Sequence, residues 1–396
     1  MKIRLGVIFG GETVEHEVSI ISAVQAMNFI NKDKYDIIPI YISKDRIWYT
    51  GKMLMEMDVY RDFDSLKKYA TKVTLTKKED GFFLIKTKGL FQKEVAELDI
   101  VFPIVHGKGV EDGSLAGYLD TVGIPYVGSS MLGASVGQDK VVMKQIMEAC
   151  NIPYPDYTWF YDYEYQEDNT EIFKNIKKLG YPVIVKPAKL GSSIGISVAK
   201  NEKEVEKSIN EAIKYDTKIV VEKVIEDLME VNCSVNGNHE YQEVSAIDEM
   251  ITKNDFLTYN DKYISGGKKG CKNTSKTGMQ VSDRIIPARI SKKVEEEVIK
   301  YAKETYKALN LKGIARIDFL IDKKNNKVYV NEPNTIPGSL AFYLWKAVGK
   351  DYETLLDETI KMAIKDYKNE SKKTTSFESN ILSGFNGSKG LKGIKK

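Results

Sequence analysis

Short apolar runs alternate with helix-like spacing along the first third of the chain. Residues 3–9, 36–41 and 98–105 are largely apolar over the length of a buried strand, and residues 15–31 repeat apolar positions at the spacing of a helix. Strand, loop, helix and strand in this order are typical of a parallel α/β sheet. The pattern therefore predicts a parallel α/β domain at the start of the chain.

Glycine-containing loops follow two of these predicted strands. Gly10 and Gly11 come directly after the first strand, and His106 and Gly107 come after the third. In open α/β sheets, ligands bind outside the carboxyl ends of the strands. We therefore expect both loops to face one cleft.

The rest of the chain adds four strand-like runs. Residues 183–185 and 218–222 are mostly apolar, and residues 313–322 and 327–331 flank the polar turn 323–326. Two runs separated by a short polar turn predict an antiparallel hairpin.

Composition and charge place the chain among globular proteins. It has 396 residues, of which 42% are hydrophobic and 29% charged, and this length predicts two to three domains. The 59 Lys and Arg against 56 Asp and Glu give a net charge of +3. Residues 367–396 hold seven lysines and two glutamates, so the rest of the chain is slightly acidic. This balance argues against a nucleic-acid-binding protein.

The sequence also bears on the compartment. It has no apolar run of the roughly 20 residues that a membrane helix needs, and the chain leads from Met1 directly into a strand-like run without a signal peptide. Its three cysteines are far apart and odd in number, which is typical of a reducing compartment, and three histidines are too few for a His-rich metal site. We expect a soluble, cytoplasmic protein.

Four polar residues in the predicted hairpin have side chains that can bind a metal ion or an anion. Side chains alternate faces along a strand, so Arg316 and Asp318 share one face, and Glu332 and Asn334 share a face at the end of the paired run. Carboxylate and amide oxygens suit Mg²⁺, which usually binds a few carboxylates together with substrate phosphates. The alternative is a solvated face with one ion pair. The Asn-Thr-Ile-Pro-Gly end of the second run favours the metal site.

A Gly/Ser loop at residues 191–195 follows Lys186 and Pro187. Backbone N–H groups of such a loop can bind phosphate oxygens, and a lysine adds a point charge. The spacing is not that of a P-loop, and a Gly/Ser loop is also typical of a plain hairpin turn. Lys186 at the end of one apolar run and Lys140 at the start of another favour the phosphate site.

The loop after the first strand carries acidic residues ahead of the predicted helix. It lacks the Gly-x-Gly-x-x-Gly spacing of a dinucleotide fingerprint, which argues against a nicotinamide cofactor. Glu15 at the strand end could hold an ammonium group. The alternative, which this segment alone favours, is that Thr13 caps the helix while Glu15 and Glu17 stabilise its positive N-terminus.

A long polar loop with aromatic and basic residues covers residues 259–270. Such a loop is typical of a lid or binding loop, and equally of a disordered segment. The sequence leaves both open.

Taken together, these motifs resemble the D-alanine–D-alanine ligases of the ATP-grasp superfamily. The resemblance runs in order over nearly all of residues 1–365 and rests on the segments 9–19, 106–113, 186–195, 221–223, 261–263, 316–318 and 331–338. It implies an α/β protein with the ATP-grasp fold: an N-terminal Rossmann-like parallel α/β domain (1–128), a small central α+β domain (129–223) and a C-terminal α+β domain with a lid loop (224–366). Residues 367–396 would form a basic, flexible tail to which the family assigns no role.

The resemblance also implies a function, the ATP-dependent ligation of two D-alanines through an acyl phosphate for peptidoglycan precursor synthesis. It implies phosphate contacts from Lys140, Lys186 and Ser193, adenine contacts from Glu222, Lys223 and the backbone near Ile225, and a ribose contact from Glu230. Two Mg²⁺ ions, for which Mn²⁺ would substitute, would bind to Asp318, Glu332 and Asn334.

The amino-acid substrates have implied partners as well. Glu15 would bind the first ammonium group in a hydrogen-bonded triad with Ser192 and Tyr263, and His106 would lie beside the substrates. Lys262 would assist phosphoryl transfer, and Arg316 with the Gly338 N–H would stabilise the tetrahedral oxyanion. The expected partners are D-alanine, ATP and a second copy of the chain, with no nucleic acid and no membrane.

One segment departs from the family pattern. Many members place a Ser-Leu pair several residues after the Pro-Gly, where it contacts the carboxylate of the second substrate, but here Ser339 and Leu340 follow Gly338 directly. Either this pair still serves or Tyr343 occupies that space. Tyr263 favours an amine acceptor, because depsipeptide-forming relatives usually have histidine there. A ligase for D-serine or D-lactate and a non-catalytic nucleotide-binding module are the alternatives.

Overall fold

The computed structural model describes residues 2–87, 93–191, 194–251 and 284–376, and three β-sheets organise these parts of the chain. A seven-stranded sheet lies in the N-terminal part, a four-stranded sheet in the centre and a five-stranded sheet in the C-terminal part. Helices pack against each sheet. The described residues therefore confirm the predicted mixed α/β class.

Seven strands form the N-terminal sheet, in the spatial order β6-β5-β4-β3-β2-β1-β7. In chain order they are β1 (Ile3–Gly10), β2 (Tyr35–Ile42), β3 (Trp48–Thr50), β4 (Thr71–Lys78), β5 (Gly81–Lys86), β6 (Glu94–Leu98) and β7 (Ile100–Pro103). Strand β1 pairs in parallel with β2 and β7, as the sequence predicts.

The rest of this sheet differs from the predicted parallel arrangement, because β2 to β6 pair antiparallel. Strands β4 and β5 are joined by the short turn at Glu79 and Asp80, and such a turn permits only antiparallel pairing. The single strand predicted at 98–105 is also divided. It breaks at Asp99, whose carboxylate accepts hydrogen bonds from the backbone N–H and the guanidinium of Arg4.

Five helices follow the strands of this part and lead into the centre of the chain. They are α1 (His16–Phe29), α2 (Phe63–Tyr69), α3 (Ser114–Val122), α4 (Met131–Gln138) and α5 (Lys140–Ala149). Short 3-10 helices lie at Lys52–Met55 and Met57–Arg61. Helix α1 packs on β1 with a mostly buried face.

The central sheet is fully antiparallel, in the order β10-β9-β11-β8. Its strands are β8 (Tyr157–Tyr161), β9 (Val183–Pro187), β10 (Ser197–Ala199) and β11 (Lys218–Lys223). Its helices are α6 (Asp162–Glu167), α7 (Thr170–Leu179) and α8 (Glu202–Ala212). This small sheet with helices fits the predicted α+β character of the centre.

The C-terminal sheet has the order β14-β13-β12-β15-β16. Its strands are β12 (Leu228–Gly237), β13 (Gln242–Met250), β14 (Arg284–Ile285), β15 (Gly313–Asp322) and β16 (Lys327–Asn334). Its helices are α9 (Lys292–Ala308), α10 (Phe342–Ala347) and α11 (Tyr352–Glu370), and a 3-10 helix lies at Gly338–Ala341. The antiparallel pairing of β15 with β16 confirms the predicted hairpin.

The N-terminal and C-terminal sheets share one hydrophobic core. Apolar residues of β1 and α1 pack in the same cluster as Leu340, Trp345 and Leu355. Trp345 is fully buried, and its indole N–H donates to the Ser234 hydroxyl on β12 at 3.0 Å. This shared core fixes the segment after Gly338 against α1, beside the loops at the strand ends.

The last helix extends beyond the predicted start of the tail at residue 367. Helix α11 runs to Glu370, and the Tyr367 hydroxyl donates to the Gly123 carbonyl at 3.1 Å. Residues 377–396 lie outside the described part of the chain. Among the described residues, no helix combines the length and the apolar character that crossing a membrane requires.

Candidate functional site

The hairpin of β15 and β16 brings the four predicted polar residues together. Arg316 lies opposite Asn334, and Asp318 lies opposite Glu332, so the two faces that the alternation of side chains predicts meet across the hairpin. The intervening apolar side chains of β15 point into the core. One face of the hairpin therefore carries two carboxylates, one carboxamide and one guanidinium.

Arg316 and Asp318 form a tight ion pair on this face. The guanidinium Nε donates to Oδ1 at 2.6 Å and Nη2 donates to Oδ2 at 2.8 Å, and Asn334 Nδ2 donates to Asp318 Oδ2 at 3.1 Å. Burial by itself would lower the pKa of Arg316, but the attraction of Asp318 outweighs burial and the pKa lies above its usual range. Arg316 therefore remains charged.

Lys140 connects the hairpin with the loop after β9. It is the first residue of α5, and the side chain of Asp139 caps that helix by accepting from the N–H groups of Val141 and Val142. Lys140 Nζ lies 3.1 Å from Glu332 Oε2 and donates to the Leu190 carbonyl at 3.0 Å. The predicted phosphate lysine thus contacts a predicted metal ligand.

Two lysines share the carboxylate of Glu222. Lys186 Nζ donates to Oε2 at 2.7 Å, and Lys144 Nζ lies 3.2 Å from Oε1. Burial alone would raise the pKa of Glu222, but the two ammonium groups lower it to about 2. Burial would also lower the pKa of Lys186, yet the carboxylates of Glu222 and Glu332 leave it raised. Glu222 is therefore an ionised, acceptor-only group.

Sequence reasoning missed Lys144. Burial lowers its pKa, and its side chain is entirely inaccessible to solvent. A signal was present, because Lys144 lies four residues after Lys140 on the same helix, a spacing that places both side chains on one face.

The remaining predicted nucleotide residues lie near this cluster or at its edge. Glu230 lies on β12, and its charge contributes to the raised pKa of Lys186. Lys223 ends β11, and its Nζ donates to the carbonyls of Gly180 and Tyr181 at 3.0 Å each. Residue Ile225 lies in the segment between β11 and β12, which joins the central and C-terminal sheets.

The loops after β1 and β7 meet, as expected, around the carboxylate of Glu15. Gly107 has φ +89°, and a Cβ added there would lie 2.1 Å from the Thr13 hydroxyl and 3.1 Å from Glu15 Oε2. A Cβ added at Gly191, on the loop after β9, would lie 3.3 Å from the same oxygen. Glycine at these positions lets two loops approach the Glu15 carboxylate closely.

The capping alternative for this segment is wrong in detail. Helix α1 begins at His16 and its N-cap is Glu15, whose side chain makes no capping hydrogen bond. Thr13 instead accepts a hydrogen bond from the Glu15 N–H at 3.2 Å, inside the loop. The Glu15 carboxylate therefore does not cap the helix, and it lies close to Gly107 and Gly191.

Glu111 is a second residue that sequence reasoning missed, although it lies in the segment 106–113 that resembles the family. Its Oε2 accepts from the Gly107 N–H at 2.9 Å, and its Oε1 accepts from the Thr335 hydroxyl and the Ile336 N–H at 3.2 Å each. Burial, together with the nearby charge of Glu15, raises its pKa to about 8. Glu111 thus ties the Gly107 loop to the segment that follows the hairpin.

His106 and Ser339 meet through Ser22 on α1. The Ser22 hydroxyl lies 3.2 Å from His106 Nε2 and accepts from the Ser339 N–H at 2.9 Å. Burial lowers the pKa of His106 to about 4, so the imidazole is neutral at pH 7. The buried Ser339 hydroxyl has no hydrogen-bond partner within the described part of the chain. Serine 22 has no sequence signal of its own.

The segment after Gly338 has an unusual backbone. Ser339, Leu340 and Ala341 all have φ near +50°, a left-handed conformation that non-glycine residues rarely adopt. Leu340 is buried in the core shared with α1. This turn leads into α10, which carries Tyr343 and packs against β13.

Tyr343 packs against the guanidinium group of Arg284. The Arg284 guanidinium lies 4.3 Å from the centre of the Tyr343 ring and donates a hydrogen bond to the Tyr343 hydroxyl. Arg284 Nη1 also forms an ion pair with Asp248 Oδ2 at 2.8 Å. The charge of Arg316 also acts on Tyr343, whose pKa burial nevertheless raises. The structure therefore places Tyr343 against Arg284 of β14.

Four predicted residues lie outside the described residues: Ser192, Ser193, Lys262 and Tyr263. The predicted lid at 259–270 lies there as well, within the undescribed segment 252–283.

The donor set of the hairpin fits a hard cation. Across the described ranges there is no group of three His, Cys, Asp or Glu side chains that could hold a metal ion. The hairpin instead offers the carboxylates of Asp318 and Glu332 and the carboxamide of Asn334, with three lysines nearby. Mg²⁺ binds through few protein oxygens when substrate phosphates supply others. The arrangement suits a nucleotide polyphosphate that carries its cation.

Family comparisons agree with this geometry. The D-ala D-ala ligase N-terminus model matches residues 4–129, and the D-ala D-ala ligase C-terminus model matches residues 146–361. The chain belongs to the D-alanine–D-alanine ligase family. The D-alanine–D-alanine ligase of Thermosipho melanesiensis is 40% identical over 382 residues, which cover 96% of this chain and 98% of the relative. The ligase of Clostridium acetobutylicum is 39% identical, covering 92% and 98%.

Solved structures of D-alanine–D-alanine ligase family members share the fold. The enzyme of Coxiella burnetii has a TM-score of 0.77 at 28% identity and covers 94% of this chain and 96% of its own. The VanG D-Ala:D-Ser ligase of Enterococcus faecalis has a TM-score of 0.75 at 29% identity, covering 92% and 100%. These likenesses confirm the predicted ATP-grasp fold of this family member.

Proposed function

We propose that this protein is an ATP-dependent ligase that joins two D-alanines to D-alanyl-D-alanine for peptidoglycan precursor synthesis. The observation that carries the proposal is the hairpin face of Arg316, Asp318, Glu332 and Asn334, which meets the lysines of the central sheet and α5. The γ-phosphoryl group moves to the carboxylate of the first D-alanine and ADP leaves. The amine of the second then attacks the carbonyl, phosphate leaves and the amine loses a proton.

The nucleotide occupies the cleft between the central and C-terminal sheets in this proposal. Lys140, Lys186 and Ser193 contact the phosphates. Glu222, Lys223 and the backbone near Ile225 contact adenine, and Glu230 contacts the ribose. The described members of this set support it, because Lys186, Glu222 and Glu230 form one electrostatic cluster across the two sheets.

The metal ligands in the proposal are Asp318, Glu332 and Asn334, which would hold two Mg²⁺ ions, with Mn²⁺ as a substitute. Bound Mg²⁺ neutralises phosphate charge and orients the nucleotide. Before it binds, Arg316 and Lys140 neutralise the two carboxylates. The negative charges of Asp318 and Glu332 are thus balanced by Arg316 and Lys140 of the same chain.

The first D-alanine binds by its ammonium group to Glu15 in this proposal, with Ser192 and Tyr263 completing a hydrogen-bonded triad. The approach of Gly107 and Gly191 to the Glu15 carboxylate supports this, because it builds a narrow anionic site. His106 lies beside the substrates as a neutral imidazole, and Lys262 assists phosphoryl transfer. The lid would shield the acyl phosphate from water.

The ligation step develops negative charge on the carbonyl oxygen. Arg316 and the Gly338 N–H would stabilise that charge, since preorganised donors aimed at a developing oxyanion account for much of the rate in such reactions. Ser339 and Leu340 would contact the second substrate. The unpartnered Ser339 hydroxyl, considered within the described residues, supports this placement.

A second candidate is a ligase that accepts D-serine, or D-lactate, at the second position. The observation that favours it is Tyr343, which lies against Arg284, is affected by the charge of Arg316 and would give the proposed second subsite a phenolic hydroxyl. A mixture of D-alanine, D-serine and D-lactate supplied with ATP, followed by mass spectrometry of the products, separates these acceptors.

The decisive test is turnover of the purified full chain. We expect ADP release with Mg-ATP and D-alanine, and none with L-alanine as the matched control. The proposal fails if no D-amino acid supports turnover, and ATP binding without turnover would then favour a non-catalytic nucleotide-binding module. We further propose a cytoplasmic homodimer, which sedimentation of the purified protein tests.

A further inference from the structure

Lys144 is a buried lysine beside Glu222, in the proposed nucleotide site. Its side chain has no solvent exposure, and its Nζ lies 5.5 Å from the ring centre of Tyr154 and 5.6 Å from that of Tyr157. Its one ionic partner among the described residues is Glu222 Oε1, at 3.2 Å. The two rings and the burial of the side chain thus enclose this ammonium group beside Glu222.

Lys186, the second cation on Glu222, has other partners within reach. It lies 3.5 Å from Asn331 Oδ1, and the charge of Glu332 at the hairpin also acts on it. The proposed function gives Lys186 a phosphate contact as well. In the proposed complex, Lys186 would contact both Glu222 and the nucleotide phosphates. Lys144 would contact Glu222 alone.

This difference matters for the carboxylate. A buried carboxylate that loses its counter-charge takes up a proton. An ionised carboxylate only accepts hydrogen bonds, while a protonated one also donates. The exocyclic group of adenine is an amine that donates, and guanine has a carbonyl oxygen at the corresponding position. An ionised Glu222 therefore binds adenine and rejects guanine.

We propose that Lys144 is a positioning residue that holds the Glu222 carboxylate as an acceptor while Lys186 engages phosphate, and that it thereby selects ATP over GTP. This inference rests on the proposed nucleotide site and deepens it. Lys144 touches no substrate in this account and acts through Glu222 alone.

The test is the ratio of dissociation constants for ATP and GTP, measured by calorimetry on the full chain with non-hydrolysable analogues. Lys144→Met keeps the length of the side chain and removes its charge. We expect the preference for ATP to fall at least about tenfold, which corresponds to one charge-assisted hydrogen bond. In turnover, the KM for ATP should rise while kcat stays within about threefold.

Lys218 provides a matched control. It is also largely buried, its Nζ lies 2.6 Å from Asp139 Oδ2, and the rings of Trp159 and Tyr161 lie 5.7 and 5.8 Å away. Lys218→Met removes an equivalent enclosed ion pair without touching Glu222. We expect it to change the melting temperature and to leave the ATP-to-GTP preference within about twofold.

Glu222→Gln and the double variant K144M/E222Q complete the experiment. Glu222→Gln should reduce the preference for ATP over GTP as much as Lys144→Met or more. The double variant should have the same preference as Glu222→Gln, because Lys144 acts only through the Glu222 carboxylate. A folded Lys144→Met that keeps the wild-type preference overturns the proposal. So does a Glu222→Gln variant that keeps it, even if Lys144→Met does not fold. Nucleotide binding is measured without D-alanine, so the ratio of dissociation constants can be interpreted even if the chain fails to ligate D-alanine.

Discussion

Arg316 and Asp318 project from one face of β15 and are joined by two hydrogen bonds of 2.6 and 2.8 Å. One partner is the proposed oxyanion donor and the other is a proposed metal ligand. Each side chain thus balances the charge of the other. If a cation bound the Asp318 carboxylate as proposed, the Arg316 guanidinium would lose this partner and would be available to the reacting carbonyl. In this proposal, metal binding at Asp318 and oxyanion stabilisation by Arg316 would therefore be coupled through their ion pair.

Arg316→Lys tests the proposed action of Arg316 on the oxyanion. Lysine keeps the positive charge but loses the planar fork that makes two parallel contacts. We expect kcat to fall by about 100-fold, the usual cost of losing an oxyanion donor, while the KM for ATP changes little. Steady-state ADP release at saturating D-alanine measures both constants. Activity within about threefold of wild type would show that Arg316 does not act on the oxyanion.

Glu332→Gln tests the metal site. The amide keeps the size of the side chain but weakens the ligand for a cation and removes the partner of Lys140, which lies 3.1 Å away. We expect turnover to fall by more than about 100-fold and the apparent affinity for Mg²⁺ to fall in a Mg²⁺ titration. Full activity at the wild-type Mg²⁺ concentration would refute the assignment.

Asp322→Asn is the control for that variant. Asp322 lies four residues after Asp318 on the same strand, and its carboxylate accepts from the backbone N–H and the side chain of Asn325. It therefore serves the hairpin turn and no proposed ligand. We expect a small loss of stability and wild-type turnover.

Tyr343→Phe tests the second subsite. The variant keeps the ring that lies 4.3 Å from the Arg284 guanidinium and removes the hydroxyl. We expect the KM for the acceptor amino acid to rise about three- to tenfold while the KM for ATP is unchanged. Product analysis with mixed D-alanine and D-serine shows which acceptor loses more. Tyr329→Phe is the control, because that ring packs against Lys327 on the outer part of the hairpin.

Local patterns predicted the hairpin and the loops at the strand ends. The alternation along each strand determines which side chains share a face, so the common face of Arg316 and Asp318 followed from sequence alone. The pairing of Asp318 with Glu332 did not, because the register of the two strands shifts between Asp318 and Phe319. The resemblance to the ligase family supplied roles for residues whose types did not reveal them. These signals lie within about twenty residues of one another, where sequence spacing decides geometry.

Long-range contacts were not predictable in the same way. Glu111 accepts from Thr335 and Ile336, more than two hundred positions away, and its altered pKa depends on Glu15 in yet another loop. The antiparallel strands β3 to β6 extend a sheet whose parallel part alone had a recognisable pattern. Burial against distant elements decides these features, and no local periodicity encodes it.

Glu111 gives the protein a distinctive dependence of stability on pH. Its pKa is about 8 in the folded chain against an ordinary value of 4.5. Between these values the folded state holds a proton that the unfolded state has lost, so the free energy of unfolding falls as pH rises, by at most about 1.4 kcal/mol per pH unit. This contribution is fully present below pH 4.5 and is lost as pH rises through 8.

Glu111→Gln should remove that slope. The amide is uncharged at every pH, so we expect its unfolding free energy to vary less between pH 5.5 and 8.5 than that of the wild type, as measured by urea denaturation. Glu17→Gln is the control. Burial alone would raise the pKa of Glu17, but hydrogen bonds from Lys44 and from its own backbone N–H, together with the charge of Lys44, lower it, so its titration lies below this range. Parallel curves for wild type and Glu111→Gln would mean that Glu111 titrates as an ordinary carboxyl. A slope removed by Glu111→Gln and kept by Glu17→Gln would locate the effect at the contact between the Gly107 loop and the end of the hairpin.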